Sequence, residues 1–148
     1  MADTAVAIHQ VDGNTKYLSV PLAAVAVAAG QGITITTATG FAGDAGDDAA
    51  TVAAGIFEPA GGGDEDQLAD NSAGAAGDLS IRIRTTGLAK FLATAPAQAW
   101  VGQKVYWVDN QTVALAATTT NDIPAGVVRK FNTAAGTVEI DLWGFGRP

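Results

Sequence analysis

The chain contains no cysteine and a single histidine, His9, among its 148 residues. The missing cysteines exclude disulfides, thiol catalysis and cysteine-based zinc sites. One histidine is too few for a histidine metal site, and a polar N-terminal stretch offers it no rigid catalytic partners. We therefore expect no metal site, no cofactor and no catalytic residues, and predict that the protein is not an enzyme.

Charge is also scarce and unevenly placed. Charged residues make up 16% of the chain, against about a quarter in an average soluble domain, and the net charge is −7. No lysine or arginine occurs between Tyr17 and Ile81, a stretch that holds nine acidic residues. An acidic chain is repelled by phosphates, so we expect no nucleic-acid partner. The remaining, slightly basic part is the freer one to meet a partner.

Long hydrophobic runs are missing as well. The apolar stretch from Val20 to Ala29 is interrupted by Pro21 and is about half the length that a membrane span requires. No basic cluster precedes it, as would be typical of a signal peptide. We expect no association with a membrane.

What the chain does contain is alternation of apolar and polar residues. Leu79–Thr85 and Val138–Leu142 place their large apolar side chains at every second position, the period of a half-buried strand. Lys104–Val108 and Thr112–Ala116 flank a short polar turn and predict a hairpin. Only Ala95–Gln98 favours a short helical turn. The sequence predicts an all-β fold, either a small barrel or a clip-like sandwich.

Composition divides the chain into a β-domain with three polar appendages. We predict an N-terminal arm over residues 1–16, a β-domain over 17–143 and a tail over 144–148. Within the domain, residues 59–77 are rich in glycine and acids and predict a long exposed loop. Its acids could surround a hard cation, but their spacing does not match a calcium loop, so solvated side chains are expected.

The stretch from Gly102 to Trp143 carries a family resemblance. It reads GQKVYW, then TVALA, PAGVVRKF and AAGTVEIDLW, and it resembles the head-decoration, or capsid cement, proteins of tailed bacteriophages. The resemblance implies a small β-rich protein, often a homotrimer at threefold positions, whose partner is the major capsid protein. It implies a structural virion protein on the capsid exterior, synthesised in the host cytoplasm, that bridges neighbouring capsid subunits.

Six residues are predicted to contact the capsid or another copy of the chain: Val6, Ile8, Arg82, Arg84, Trp143 and Phe145. The first two alternate within the arm and could add an edge strand to a neighbour. The two arginines share the polar face of one strand and are either solvated or in contact with an acidic partner. The two aromatic residues follow the last strand and are good interface anchors.

Two other functions stay open from the sequence. A carbohydrate-binding β-module would use Trp100 or Trp143 to stack on sugar rings. An enzyme on a small trimeric β-fold, such as a nucleotide hydrolase, would need a phosphate site and a metal-binding carboxylate. The sequence indicates neither a phosphate site nor an ordered metal-binding carboxylate. The one glycine run, Gly61-Gly62-Gly63, is followed by acids that would repel a phosphate.

Overall fold

The computed structural model describes residues 17–59 and 67–143. These residues form twelve strands and one turn of 3-10 helix, which confirms the predicted all-β class. The strands are β1 (Tyr17–Pro21), β2 (Ala26–Ala28), β3 (Gly32–Thr36), β4 (Ala42–Asp44), β5 (Thr51–Phe57), β6 (Leu68–Asp70), β7 (Ser80–Arg84), β8 (Leu88–Leu92), β9 (Lys104–Trp107), β10 (Val113–Ala114), β11 (Pro124–Asn132) and β12 (Thr137–Leu142), and the 3-10 turn spans Gln98–Trp100.

The strands form two five-stranded sheets and one short ribbon. The first sheet has the order β1-β7-β5-β3-β4 and the second has the order β10-β9-β11-β12-β8, while β2 pairs with β6. Each large sheet curls until its edges approach. A parallel bridge joins Leu22 to Ala42 across the first sheet, and another joins Leu92 to Thr112 across the second. The fold is therefore barrel-like in both halves.

Simple alternation explains β12 of the second sheet and β7 of the first. In β12 the side chains of Val138, Ile140 and Leu142 are buried, while the residues between them are half-buried on the outer surface. In β7, Ile81 and Ile83 are buried in the same way. A strand with one apolar face can lie flat on a core, and the large apolar side chains at every second position place that face without ambiguity.

Strand β5 is different, because both of its faces are buried. Ala54 and Phe57 pack in a core inside the first sheet, while Ala53 and Ile56 pack in a second core that the second sheet encloses. A register shift opposite Ile33 and Thr34 marks a bulge in β5. The bulge reverses the alternation, which is why residues three positions apart share a face. β5 is the wall between the two cores.

Trp107 fills the second core and links the sheets. Its ring meets Phe91 edge to face, with centroids 4.9 Å apart and planes at 86°. The same ring packs against Gly32 of β3. Next to this contact the Gly32 N–H donates to the Asn110 carbonyl at 2.8 Å, and the Asn110 side-chain amide donates to Gln31 Oε1 at 3.0 Å. The two halves are thus joined by both packing and hydrogen bonds.

A carboxylate makes a second link between the halves. Asp47, in the loop after β4, accepts hydrogen bonds from the main-chain N–H groups of Thr120 at 2.8 Å and Asn121 at 2.7 Å. The pKa of the Asp47 carboxyl lies below its usual value of 3.8, because these hydrogen bonds stabilise its charged form. The bond from Thr120 has the larger effect and the bond from Asn121 the next. The charged form of Asp47 is therefore the one that fits the folded chain.

The structure corrects the predicted 59–77 loop in its second half. Residues 60–66 lie outside the described part of the chain. Beyond them, Leu68–Asp70 forms β6 and pairs with β2. Asn71 follows with 5% of its surface exposed, and its side-chain amide donates to the carbonyls of Leu22, Ala23 and Ala75. This half of the segment is an ordered strand and turn, although most of its side chains are exposed as predicted.

Three local features were not evident from the sequence pattern. The segment Tyr17–Val27 contains two strands separated by a turn, because the chain leaves the first sheet after Pro21. The short helical turn lies at Gln98–Trp100 rather than at Ala95–Gln98. The short strand β4 was not predicted.

Candidate functional site

Most of the described positive charge lies on the outer surface of the second sheet. Six lysine and arginine residues fall in the described ranges, and four of them form what we call the basic face: Lys90, Lys104, Arg129 and Lys130. All four are exposed. Glu139 and Asp141 are the acids of the same surface, so its formal charge is four minus two, or +2, in a chain of net charge −7. The basic face is the part of this protein that an acidic partner would meet most favourably.

Strand register determines how these charges are arranged. Glu139 of β12 lies opposite Lys90 of β8 on one side and opposite Lys130 of β11 on the other. A bulge between Val128 and Lys130 lets two successive residues of β11 point outward. Arg129 therefore reaches Asp141, with its Nη2 3.2 Å from Oδ2. Lys90 and Lys130 make no ion pair with any residue that the structure describes.

Trp143 closes one end of the basic face. It is half-buried just after β12, and its main-chain N–H donates to the Ala125 carbonyl at 2.9 Å. The Lys104 ammonium lies 4.1 Å from the centre of its ring, which is the geometry of a cation–π contact. The predicted anchor thus lies next to the basic face, with one side of its ring in contact with a lysine. Phe145, the other predicted anchor, lies outside the described residues.

Arg82 and Arg84 occupy the outer face of β7, but their guanidinium groups have partners within the chain. Arg82 lies over the Tyr17 ring at 4.0 Å and donates to the carbonyls of Glu58 at 3.0 Å and Pro59 at 3.2 Å. These contacts fasten the end of β5 to β7. They give Arg82 a structural role, and its predicted contact with a partner stays a prediction.

Arg84 is held more tightly, with 13% of its side chain exposed. Its Nε lies 3.3 Å from Glu58 Oε2, at an angle that does not form a hydrogen bond. Its Nη1 and Nη2 donate to the carbonyls of Thr86 at 2.7 Å and Leu88 at 3.0 Å, across the turn between β7 and β8. Arg84 therefore shapes this turn, and its predicted partner contact likewise stays a prediction.

The other tryptophans belong to the second core. Trp107 has 1% of its surface exposed, so a ligand cannot reach it without unfolding that core. Trp100 is half-buried and packs against the same core from the 3-10 turn. Neither ring lies free on the surface as a sugar-stacking platform would.

An open cleft lies beside the basic face. Its volume is about 600 Å³, and it is lined by Ala29, Gly30, Gln31, Lys90, Phe91, Leu92, Gln111 and Thr137. A smaller depression of about 160 Å³ lies on the other side of Lys90 and also contacts Lys130 and Glu139. Lys90 stands between the two. None of the acidic residues that the structure describes lines the larger cleft.

The part of the chain that the structure describes contains neither a metal-binding cluster nor a membrane-spanning helix. Residues 17–59 and 67–143 include no group of three histidine, cysteine or acidic side chains placed to hold a metal ion. The same ranges contain no helix with the length and apolarity of a membrane span. The predicted contact residues Val6 and Ile8 lie outside the described residues, as do the acids of the 60–66 segment.

Comparison of the chain with protein-family models, with curated proteins and with solved structures gives no match. Next to the basic face, Trp143 was predicted as a contact residue, but the four cationic residues were not. Alternation within the predicted strand Lys104–Val108 could have placed Lys104 on the outer surface, whereas Arg129 and Lys130 both point outward only because of the bulge in β11.

Proposed function

We propose that the protein is a structural virion protein that binds the outer surface of a bacteriophage capsid and stabilises it by bridging neighbouring major capsid subunits. The observation that carries the proposal is the conformation of Gly102–Trp143. This stretch, which resembles the decoration proteins, forms β9, β10, β11 and β12 of a single curled sheet around Trp107. The all-β fold is the one that the resemblance implied.

The basic face supports a docking role. It carries four of the six described lysine and arginine side chains, all of them exposed, and the aromatic side chain of Trp143 lies at one end of it. Charge that complements a partner raises the rate of association and selects orientation, while an aromatic anchor contributes affinity. In our proposal the basic face meets an acidic region of the capsid shell and the acidic first half of the chain stays in solvent.

Bridging would stabilise the shell by mass action. A protein that binds the assembled lattice and not its separated subunits shifts the equilibrium toward assembly by an amount that grows with its concentration. Repeated sites on one particle make the effect large even when each contact is weak. We propose a homotrimer, in solution or on the capsid, because closed symmetry is the usual way in which identical subunits cover surface.

The test is binding of the purified protein to undecorated heads of the phage that encodes it. Saturable binding that raises the temperature of head rupture supports the proposal. The double variant Lys90→Glu with Lys130→Glu should bind at least tenfold more weakly, because it reverses the charge of the face. The matched control, Asp44→Asn on the acidic half, should bind as the wild type does.

Two results would overturn the proposal. One is a protein that is folded and soluble but does not bind heads at any concentration tested. The other is a folded protein that binds a glycan array and loses this binding in Trp143→Ala, which would assign it to the carbohydrate-binding class instead.

A further inference from the structure

Strand β8 is an edge of the second sheet, and its main-chain groups alternate between β12 and the open side. The Gly87 carbonyl accepts a hydrogen bond from the end of β12 at 2.9 Å, and the Ala93 N–H donates to the loop before β12 at 2.8 Å. These two residues fix the alternation. Leu88, Lys90 and Leu92 must therefore direct their N–H and C=O groups away from the sheet.

At each end of β8, one outward main-chain group is occupied. The Leu92 N–H donates to the Gln111 carbonyl at 2.9 Å, where the sheet curls back on itself. The Leu88 carbonyl accepts from Arg84 Nη2 at 3.0 Å. Between them, the outward N–H and C=O of Lys90 have no hydrogen-bond partner among the described residues. Among the residues that the structure describes, the edge of the sheet is thus free at Lys90, where one more strand could pair.

The cleft of about 600 Å³ runs along this opening. Its far wall is the Ala29–Gln31 segment, where Gly30 has φ +82° and no atom within 4 Å of the place where a Cβ would lie. The side-chain carbonyl of Gln31 is held by Asn110 at 3.0 Å. Gln111 lines the end of the cleft. An extended chain entering here would meet a main-chain edge on one side and open space above a glycine on the other.

We propose that this cleft binds an extended, acidic peptide segment of another protein, which adds to β8 as a short strand paired at Lys90. The Lys90 N–H and C=O would bond to one residue of the peptide, as in strand addition to a sheet edge. In that register the side chain opposite Lys90 lies on the outer face, next to its ammonium group. Two positions along, the peptide side chain lies opposite Leu88, which is 50% exposed. The peptide should therefore carry an acid at the first position and an apolar residue at the second.

Charge favours an acidic occupant over a second copy of this edge. The Lys90 ammonium group lies at the paired position, Lys130 lies two strands away beyond Glu139, and neither lysine forms an ion pair among the described residues. A second copy of β8, paired antiparallel about its centre, would bring two Lys90 side chains face to face. Like charges directly opposite each other destabilise a strand pair. Pairing of two copies through this edge is therefore disfavoured, and an acidic segment is favoured. The site does not depend on the capsid role proposed above.

The first measurement is hydrogen exchange of the free protein. The Lys90 amide should exchange much faster than those of Ala89 and Phe91, which face β12. The second is a titration followed by amide chemical shifts, with the capped peptide Thr-Val-Thr-Glu-Thr-Val-Thr as the probe. We expect shifts at Lys90, Gln31 and Gln111 and a dissociation constant on the order of 1 mM, because only a short pairing is available.

Variants of the peptide and the protein make the test specific. Replacing the central glutamate by lysine, or methylating its main-chain nitrogen, should weaken binding about tenfold or more. Lys90→Glu should reverse the preference between the two peptides, and Lys90→Gln should remove it. Lys104→Glu is the matched control, because it reverses a charge on β9, three strands from β8. This variant should keep the wild-type preference for the glutamate peptide.

Three outcomes would overturn the proposal. They are protection of the Lys90 amide from exchange in the free protein, peptide-induced amide shifts that Lys90→Glu leaves unchanged, and the absence of amide shifts at peptide concentrations well above 1 mM. Self-association through β8 would also overturn the proposal, because the occupant would then be a second copy of the chain. It would be detected as protection of the Lys90 amide that increases with protein concentration.

Discussion

The indole of Trp107 lies against the main chain of Gly32, so that a Cβ atom on residue 32 would fall 2.5 Å from its Cη2 atom. Trp107 belongs to β9 of the second sheet and Gly32 opens β3 of the first. The contact brings the two halves of the protein together at the point where the Gly32 N–H also donates to Asn110. Only a residue without a side chain allows the ring to approach this closely.

The first prediction concerns this contact. Gly32→Ala should lower the free energy of unfolding by about 1–3 kcal/mol, because the ring or the main chain must move to admit a methyl group. Gly43→Ala is the matched control in the neighbouring strand β4, since a Cβ there meets no atom within 4 Å. Urea unfolding measures both. Equal stabilities of the two variants would show that the packing is looser than described.

The second prediction separates a structural from a partner-binding role for Arg84. Arg84→Ala should lower the free energy of unfolding by about 1–3 kcal/mol, because it leaves the carbonyls of Thr86 and Leu88 and the carboxylate of Glu58 without their partner. Lys130→Ala, on the basic face, should change it by about 0.5 kcal/mol or less. The same urea experiment applies. If Arg84→Ala is as stable as the wild type, its internal contacts contribute little and its side chain is available to a partner.

The third prediction concerns the buried amide of Asn71. Asn71→Ala should cost about 1–3 kcal/mol, because three carbonyl groups lose a shared donor. Asn71→Asp should be no better, since it places an acceptor among acceptors. The control is Asn132→Ala, which removes one hydrogen bond from an exposed turn and should cost less. Thermal unfolding ranks the stabilities of the three variants. If Asn71→Ala is as stable as the wild type, the hydrogen bonds of the Asn71 amide do not stabilise this turn.

The fourth prediction is a pH dependence at Asp47. Hydrogen bonds from Thr120 and Asn121 lower its pKa in the folded chain. A carboxyl with a lowered folded pKa stabilises the protein fully above its unfolded pKa of about 3.9, and this stabilisation is lost as the pH falls through the folded value. The difference in unfolding free energy between wild type and Asp47→Ala should thus be constant above about pH 5 and should narrow below about pH 4.

The control for this pH experiment is Asp48→Ala, in the neighbouring exposed position. Asp48 does not accept the hydrogen bonds from Thr120 and Asn121, so this variant removes a neighbouring carboxylate while it leaves that link in place. A difference for Asp47→Ala that stays constant down to the lowest pH at which the protein is folded would contradict the role assigned to its charge.

Sequence alone determined the fold class and several strands. Alternation such as that of Ile81 with Ile83, or of Val138 with Ile140, needs one buried face whatever lies across from it, so it can be read without knowing the partner strand. The approximate positions of β7, β9, β10 and β12 follow from such local patterns. The uneven distribution of charge was also evident from the sequence.

Tertiary structure decided what depends on pairs of residues far apart in the chain. β4 and β6 are three residues long and consist of alanine, glycine, aspartate and one leucine, so they carry no strand signal and form only because β3 and β2 pair with them. The double burial of β5 follows from its bulge and from a core on each side.

The candidate site shows the same division. Alternation could place Lys90 on the outside of its strand, but Lys130 points outward only because of the bulge in β11, and only the order of β8, β12 and β11 brings the two lysines to either side of Glu139. Glu58, a partner of both Arg82 and Arg84, lies more than twenty residues earlier in the chain. Local sequence specifies which face of a strand is apolar, because that is a property of one strand. Which strand lies beside it depends on the packing of the whole chain, so only the tertiary structure decides that β8 is the last strand in the order of the second sheet.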